Sequence, residues 1–504
     1  MVMMQSAIVD LLATASETLR RIRGARSIQK AHTGLEDQLR AMTLGRAREW
    51  KAETKEVKQE TREEVEEGTK EEKDPDQELR RIQKAATLVH EGHVRKAVRS
   101  LFTEGVPSLT EDTMRSLREL HPQGPPILPR CPSDAPEMMR IDKKVLAQIV
   151  NRELANGSAP GRSGWTGDLL KALVDDRECL EGLAALTMAI INGKIEGRAR
   201  DALLCSVLIG LEKPGGGTRP IAMGEMFYKL AATYALRIVG ETAREVLGPT
   251  QFALAPGGSE AAVLYLRTAL TEHPTWTVMA CDIKNAFNSR SRSDILNILY
   301  QQKGLSSIWR LADWAYGKPS DLLLVDRGRL KGTIPSTQGV KQGDTLSSLL
   351  FALSMTKLYG DTAEVTGVKT VAVQDDVYFL GPMSSVAKAW DHFNKEVGKG
   401  TGLVLNQRKT HVLTPQGADD EELVARGLQT SNLMIPALGT ILTRDSGVLQ
   451  KWLAKEMQGH TNDCSMQSDI RSSQYKWHLP FFGHVLFRLL NTGCEHLHQR
   501  RLVF

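Results

Sequence analysis

The chain has 504 residues, 41% of them hydrophobic and 25% charged, a composition that excludes wholesale disorder, a collagen and a coiled-coil rod. At about 100–200 residues per domain it should hold two to four domains. No run approaches the roughly 18 apolar residues of a membrane span, and the N-terminus lacks the basic, apolar and small-residue order of a secretory signal. The six cysteines contain no C-x-x-C pair, which argues against a disulfide framework or a structural zinc finger and for a reducing compartment.

The net charge of +5 is unevenly placed. Residues 48–76 carry 12 acidic and 7 basic side chains, a net of −5, so the remainder carries +10. A basic body with an acidic insert suits a polyanionic partner without proving one.

Residues 1–77 read as a charged extension, helical or partly disordered. Residues 78–140 read as a helical region that ends in a Pro-rich connector over 121–136. His90-Glu-Gly-His93 is one residue too short for the zinc-protease spacing. Residues 140–245 read as helices between Gly-Pro loops, with a short strand near Ser206–Leu211. Within them, Lys213-Pro-Gly-Gly-Gly-Thr-Arg219-Pro sets two cations on a Gly-rich loop able to clamp phosphates.

Thr277-Val-Met-Ala-Cys-Asp282 is an apolar run that ends in an aspartate, the way a buried strand delivers a carboxylate to its end. In Gln338-Gly-Val-Lys-Gln342-Gly343-Asp344-Thr-Leu-Ser347, a polar turn enters an apolar helix. Asp344 stands where an N-cap would, three residues before Ser347. Gly343 lets the backbone approach a base pair closely. Val371-Ala-Val-Gln374-Asp375-Asp376-Val-Tyr-Phe-Leu reads as a buried hairpin with adjacent carboxylates at its tip. Such carboxylates repel unless a cation neutralises them, and hard divalent cations take oxygen ligands. Beyond about residue 415 the chain reads as mostly helical.

A cationic Gly loop, D-x-x-x-A-F, Q-G-D-x-L-S, x-x-D-D and Gly402-Leu-Val-Leu-Asn406-Gln-Arg-Lys409, in that order, resemble the motif succession of reverse transcriptases. The chain is most similar to those of non-LTR retrotransposons, of the site-specific kind inserted in kinetoplastid spliced-leader genes. The resemblance runs from about Glu78 to Leu502. It includes Ala159-Pro-Gly-Arg-Ser-Gly-Trp165, Gln251-Phe-Ala-Leu-Ala-Pro-Gly-Gly258 and Leu438-Gly439.

The resemblance implies an α+β right-hand polymerase: helical fingers over 141–274, an antiparallel-sheet palm over 275–420, and a primer grip with partial thumb over 421–504. It implies RNA-directed DNA polymerisation with two Mg²⁺ ions, Mn²⁺ serving as a substitute, on an RNA template with a DNA primer or nicked target DNA and dNTPs. No membrane partner is implied. Asp282, Asp375 and Asp376 would be the catalytic carboxylates, with the Ile283 carbonyl as a further metal ligand. Phe287 would lie under the nucleotide sugar. Lys213 and Arg219 would hold the triphosphate, Gln342 and Gly343 would shape the templating pair, and Lys409 would protonate or neutralise pyrophosphate. Leu438-Gly439 would begin the primer grip.

The chain departs from the family pattern at Val373 and Gln374, where an aromatic and a small or apolar residue are usual, and at Thr345 and Ser348, where prolines are usual. No zinc finger or second acidic nuclease motif accompanies the polymerase motifs, and the C-terminal stretch reads as the start of a thumb, cut short. Two other readings are an RNA-dependent RNA polymerase and a non-catalytic nucleic-acid-binding remnant. The first expects a second aspartate where Phe287 stands. The basic run Arg20-Arg21-Ile-Arg23 is a thin nuclear signal, so a nuclear location follows from the resemblance.

Overall fold

The computed structural model describes residues 109–456, apart from 126–127, 155–159, 214–216 and 327–328. The N-terminal extension, His90 and His93, the terminal Cys494 and the part of the expected thumb beyond residue 456 lie outside the described residues. The chain divides between Leu442 and Thr443. In the second unit a helix spans 446–456, capped by Asp445, whose carboxylate accepts from Gly447 N at 2.7 Å and Val448 N at 3.2 Å.

In the first unit, oxygen-bearing side chains start the helices. Thr110 caps α1 (Glu111–Glu119), Asp142 caps α2 (Lys143–Gln148), Thr166 caps α3 (Gly167–Val174) and Asp176 caps α4 (Arg177–Ile191). After α5 (Gly197–Leu204), β1 (Ser206–Glu212) and β2 (Thr218–Gly224) form a hairpin, followed by the long α6 (Met226–Leu247). α6 buries Phe227, Leu230, Ala231, Tyr234 and Ala235 at helical spacing, so one stripe faces the core.

α7 (Gly258–Glu272) leads into β3 (Thr277–Cys281), the short α8 (Ala286–Ser289), α9 (Arg292–Gln301) and α10 (Trp309–Tyr316). β4 (Ser320–Asp326) and β5 (Arg329–Ser336) come next, then α11 (Ser347–Thr366), β6 (Lys369–Val373), β7 (Asp376–Gly381) and α12 (Met383–Thr401). The remaining elements are β8 (His411–Leu413), α13 (Glu421–Ala425), β9 (Gln429–Ser431), β10 (Met434–Ala437) and β11 (Thr440–Thr443).

The class is α+β, as expected. The central sheet has the order β6-β7-β3-β8-β9. It is antiparallel except for the parallel β8–β9 pair. Alternation along its strands feeds two cores. Met279, Cys281, Ala372, Phe379 and Val412 join the cluster built with α11 and α12. Val278, Val371, Tyr378, Leu380 and Leu413 join a second cluster with α7 and the β10–β11 hairpin. Strands covered on both faces become nearly continuous apolar runs, which is why 371–380 and 277–281 were legible.

Three expectations need correction. The span expected for the fingers is less helical than expected: the one strand anticipated near Ser206–Leu211 is β1, and it belongs to a four-stranded sheet β2-β1-β4-β5 beside the helices. β4 joins β1 in parallel and brings β5 with it, although both strands lie within the span expected for the palm. Among the described residues after 415, three short strands alternate with the helices 421–425 and 446–456, so the stretch is mixed and not mostly helical. Asp344 is not an N-cap: α11 starts at Ser347 with Leu346 in the cap position, and Asp344 is a buried carboxylate in the turn before it.

Candidate active site

β3 ends at Cys281, and the register pairs Ala280 with Tyr378 and Cys281 with Val377. One further step sets Asp282 across from Asp376. β6 and β7 close a two-residue turn in which Val373 pairs with Asp376, leaving Gln374 and Asp375 at the tip. Gln374 has φ 61°, the left-handed conformation that tight hairpin turns demand. Three carboxylates therefore gather at one end of the central sheet. The flanking strands are buried, but the tip itself is open: Asp375 is half-buried and Asp376 exposed.

Partial withdrawal from water and the neighbouring Asp376 charge push the Asp375 carboxyl up to about 7, with Asp282 adding and Arg219 opposing. Asp376 is raised by withdrawal from water and by Asp282, again against Arg219. These carboxylates thus repel one another, and Arg219 on β2 is close enough to offset part of that repulsion. Lys213 N donates to Gly217 O at 2.9 Å, closing the β1–β2 hairpin whose Gly-rich tip lies outside the described residues.

Ile283 forms an isolated antiparallel bridge with Leu405, closed by Lys284 N to Val404 O at 2.9 Å and Asn406 N to Asp282 O at 2.7 Å. Successive peptide groups alternate sides along an extended strand. The Ile283 carbonyl therefore points away from Leu405, toward the side on which β7 lies. Asp282 N also donates to Thr410 Oγ1 at 3.4 Å. The loop carrying the exposed Lys409 is thus bound to the backbone of Asp282.

Phe287 is 8% exposed, and its ring stacks on Phe351 with centroids 4.6 Å apart and planes 12° from parallel. One face of the ring is therefore committed to the core. Gln342 O accepts from Ala222 N at 2.8 Å, and a Cβ on Gly343, which has φ 98°, would come within 2.8 Å of Ala222 O. The neighbour within the protein that this glycine admits is strand β2. Leu438 and Gly439 form the β10–β11 turn with φ 47° and 78°. The Tyr378 phenol on β7 is hydrogen-bonded to the Leu438 backbone, which ties the primer-grip candidate to the aspartate-bearing strand.

Several groups received no role from sequence reasoning. Gln251 sits within the quoted Gln251–Gly258 motif, and its carboxamide contacts Gln374. Arg292 is 1% exposed and donates to Gly339 O, Ser336 O and Gln338 O, fastening the start of the Gln338–Asp344 loop. A buried arginine leaves no periodic mark in a sequence.

The donor set suits a hard divalent cation in type: carboxylates that repel without a countercharge and a carbonyl on the side of β7. Among the described residues, no three His, Cys, Asp or Glu side chains are gathered closely enough to hold a metal by themselves. Mg²⁺ is usually held by one or two carboxylates plus substrate phosphates rather than by an all-protein cage. The residues present therefore fit a cation whose shell the substrate completes.

Residues 211–474 match the family described as reverse transcriptase (RNA-dependent DNA polymerase). The chain belongs to that family. It is 30% identical over 295 residues, 58% of its length, to the retrotransposable element SLACS 132 kDa protein of Trypanosoma brucei gambiense. The match spans 24% of that relative. Solved structures similar to it include telomerase from Candida albicans with a fragment of telomeric RNA, at TM-score 0.37 and 14% identity over 49% of this chain and 47% of that one. Apo telomerase from Candida tropicalis aligns at TM-score 0.37 and 10% identity over 51% and 48% of the two chains.

Proposed function

We propose that this protein is the RNA-directed DNA polymerase of a non-LTR retrotransposable element, extending a DNA primer or a nicked target strand on an RNA template with dNTPs. The observation that carries the reading is the convergence of Asp282 with the Asp375-Asp376 turn at one end of the central sheet, faced by Arg219. Such a protein acts where its target DNA is, in the nucleus.

The reaction joins the primer 3′-oxygen to the α-phosphorus of the dNTP and breaks the α–β bridging P–O bond. Pyrophosphate leaves, and the 3′-hydroxyl proton is lost to solvent. Two Mg²⁺ ions, when bound, stabilise the attacking and leaving oxygens. Asp282, Asp375, Asp376 and the Ile283 carbonyl are the residues that would hold them. Arg219 and Lys213 bind the triphosphate, and Lys409 gives a proton or its charge to pyrophosphate. Phe287 lies beneath the sugar. Gln342 and Gly343 bear on the templating pair through strand β2, and the Leu438-Gly439 turn holds the primer end. Phosphoryl transfer is mainly positioning and charge neutralisation, and these residue types supply both.

Primer extension on poly(A)–oligo(dT) with Mg²⁺ tests the reading. The intact chain should extend the primer, and Asp282→Asn or Asp375→Asn should abolish extension while leaving the fold. A folded, binding-competent chain that extends nothing would be the non-catalytic remnant instead. Extension only with ribonucleotides would mark an RNA-dependent RNA polymerase.

A further inference from the structure

β6 is the edge strand of the central sheet. Its outer side is not left bare. The segment 250–252 pairs with it at one residue, Ala372 N donating to Thr250 O and Phe252 N to Ala372 O, each at 2.7 Å. Gln251, the middle residue of that segment, is 6% exposed. Its side chain reaches beyond the backbone pairing to the turn itself. Oε1 accepts from Gln374 N at 2.8 Å, and Nε2 donates to Gln374 O at 3.4 Å. One carboxamide thus engages both main-chain groups of a single residue, as a neighbouring strand would.

Gln374 needs this support. Its left-handed conformation is unfavourable for any residue with a Cβ. The same carbonyl also accepts from Tyr359 Oη at 3.1 Å, and the Gln374 side chain donates to Ser348 Oγ at 2.9 Å. Gln374 and Ser348, two of the positions at which the sequence differs from the motif pattern it resembles, here bond to each other. The bond draws the Gln374 side chain toward the first turn of α11.

We infer that Gln251 is a positioning residue for the polymerase site: its carboxamide holds Gln374 in the left-handed turn, and so aims Asp375 and Asp376. Gln251 touches neither carboxylate in any contact above, so it acts through the backbone. The inference rests on the proposed polymerase reading for its consequence, though not for its geometry.

Two measurements on the full chain test it. Hydrogen exchange on the unmutated protein needs no variant to fold. The clamp requires the Gln374 amide to be protected well beyond that of Asp375, and exchange of Gln374 at the solvent rate would overturn it. The second measurement is single-nucleotide extension by Gln251→Met, which keeps the side-chain length and loses both bonds. A site mis-aimed by a fraction of an ångström should lose about tenfold or more in kcat, with dNTP KM and template–primer Kd within about twofold. Gln374→Gly tolerates φ > 0 without a clamp. In that background Gln251→Met should cost less than about threefold. Equal losses in both backgrounds, or wild-type kcat in Gln251→Met, would refute the positioning role. If the unmutated chain extends no primer at all, the polymerase reading fails, and the exchange measurement alone decides the clamp.

Discussion

Lys341 Nζ stands 3.9 Å from Asp344 Oδ2, with the two side chains only 3% and 2% exposed. Gln342 and Gly343 lie between them in sequence, so the loop expected at the templating pair is pinned at both flanks from inside the protein. Lys341 also donates to Leu204 O at 3.1 Å and lies over the Tyr228 and Tyr316 rings at 6.0 and 5.8 Å. Asp344 accepts from Tyr228 Oη at 3.0 Å and Leu346 N at 2.8 Å. Burial holds Lys341 below the ordinary lysine range, while Asp344 works against that shift.

Removing one partner of a buried pair leaves an uncompensated charge. Asp344→Ala should cost about 3–5 kcal/mol, because Lys341 then keeps the like charges of Arg292 and Arg200 without the carboxylate that opposes them. Adding Lys341→Met to Asp344→Ala should recover part of the loss. Urea melts of the two single variants and the double variant read the coupling directly, and strictly additive losses would show that the pair does not act as a unit.

Asp375 makes the metal-free protein sensitive to pH. Its folded value of about 7 lies above the ordinary 3.8, so the folded state holds a proton that the unfolded state has released. Stability from this group is full below about 3.8, falls as pH rises between the two values, and is gone above about 7. The effect should be on the order of a few kcal/mol, less any screening at the open tip. Thermal melts without metal should show Asp375→Asn gaining on the parent as pH goes from 5 to 8. A constant difference between the two would mean that Asp375 titrates normally.

Arg219 opposes the carboxylate repulsion. In Arg219→Gln, Asp375 should titrate still higher, so the alkaline loss of stability should extend to higher pH. In extension assays the same variant should raise the dNTP KM with little effect on template–primer affinity. A lowered kcat with unchanged KM would place Arg219 in the chemical step and not in triphosphate binding.

Phe287 presents two readings that one variant separates. Phe287→Val should retain deoxynucleotide incorporation and gain ribonucleotide incorporation, since the ring would no longer exclude a 2′-hydroxyl. The quantity to measure is the dGTP to GTP ratio of kcat/KM. Because the ring stacks on Phe351, some stability will be lost as well; full truncation of a core Phe costs about 3–5 kcal/mol. An unchanged ratio with uniformly lower rates would leave Phe287 a core residue only.

Binding of template and primer should be governed by phosphate contacts. Log affinity for duplex should fall linearly with log salt, by about 0.9 for each phosphate neutralised. A salt-independent affinity would contradict recognition of the nucleic-acid backbone.

The features legible in the sequence are those carried by contiguous residues. The run 277–281 ending in Asp282 and the hairpin with Asp375 at its tip declare themselves because apolar runs and tight turns are local properties. Short strands such as 429–431 and 440–443 were read as helix because three or four residues carry too little periodicity to distinguish the two. Asp344 has the spacing of a helix cap, yet packing turns it inward to Lys341, and α11 begins three residues later. The β4–β5 hairpin joins β1 across more than a hundred residues, a pairing that no local pattern encodes. The clamp of Gln251 on Gln374 spans a similar separation. Its chemistry needs only one amide beside one turn, and only the tertiary fold decides which amide that is.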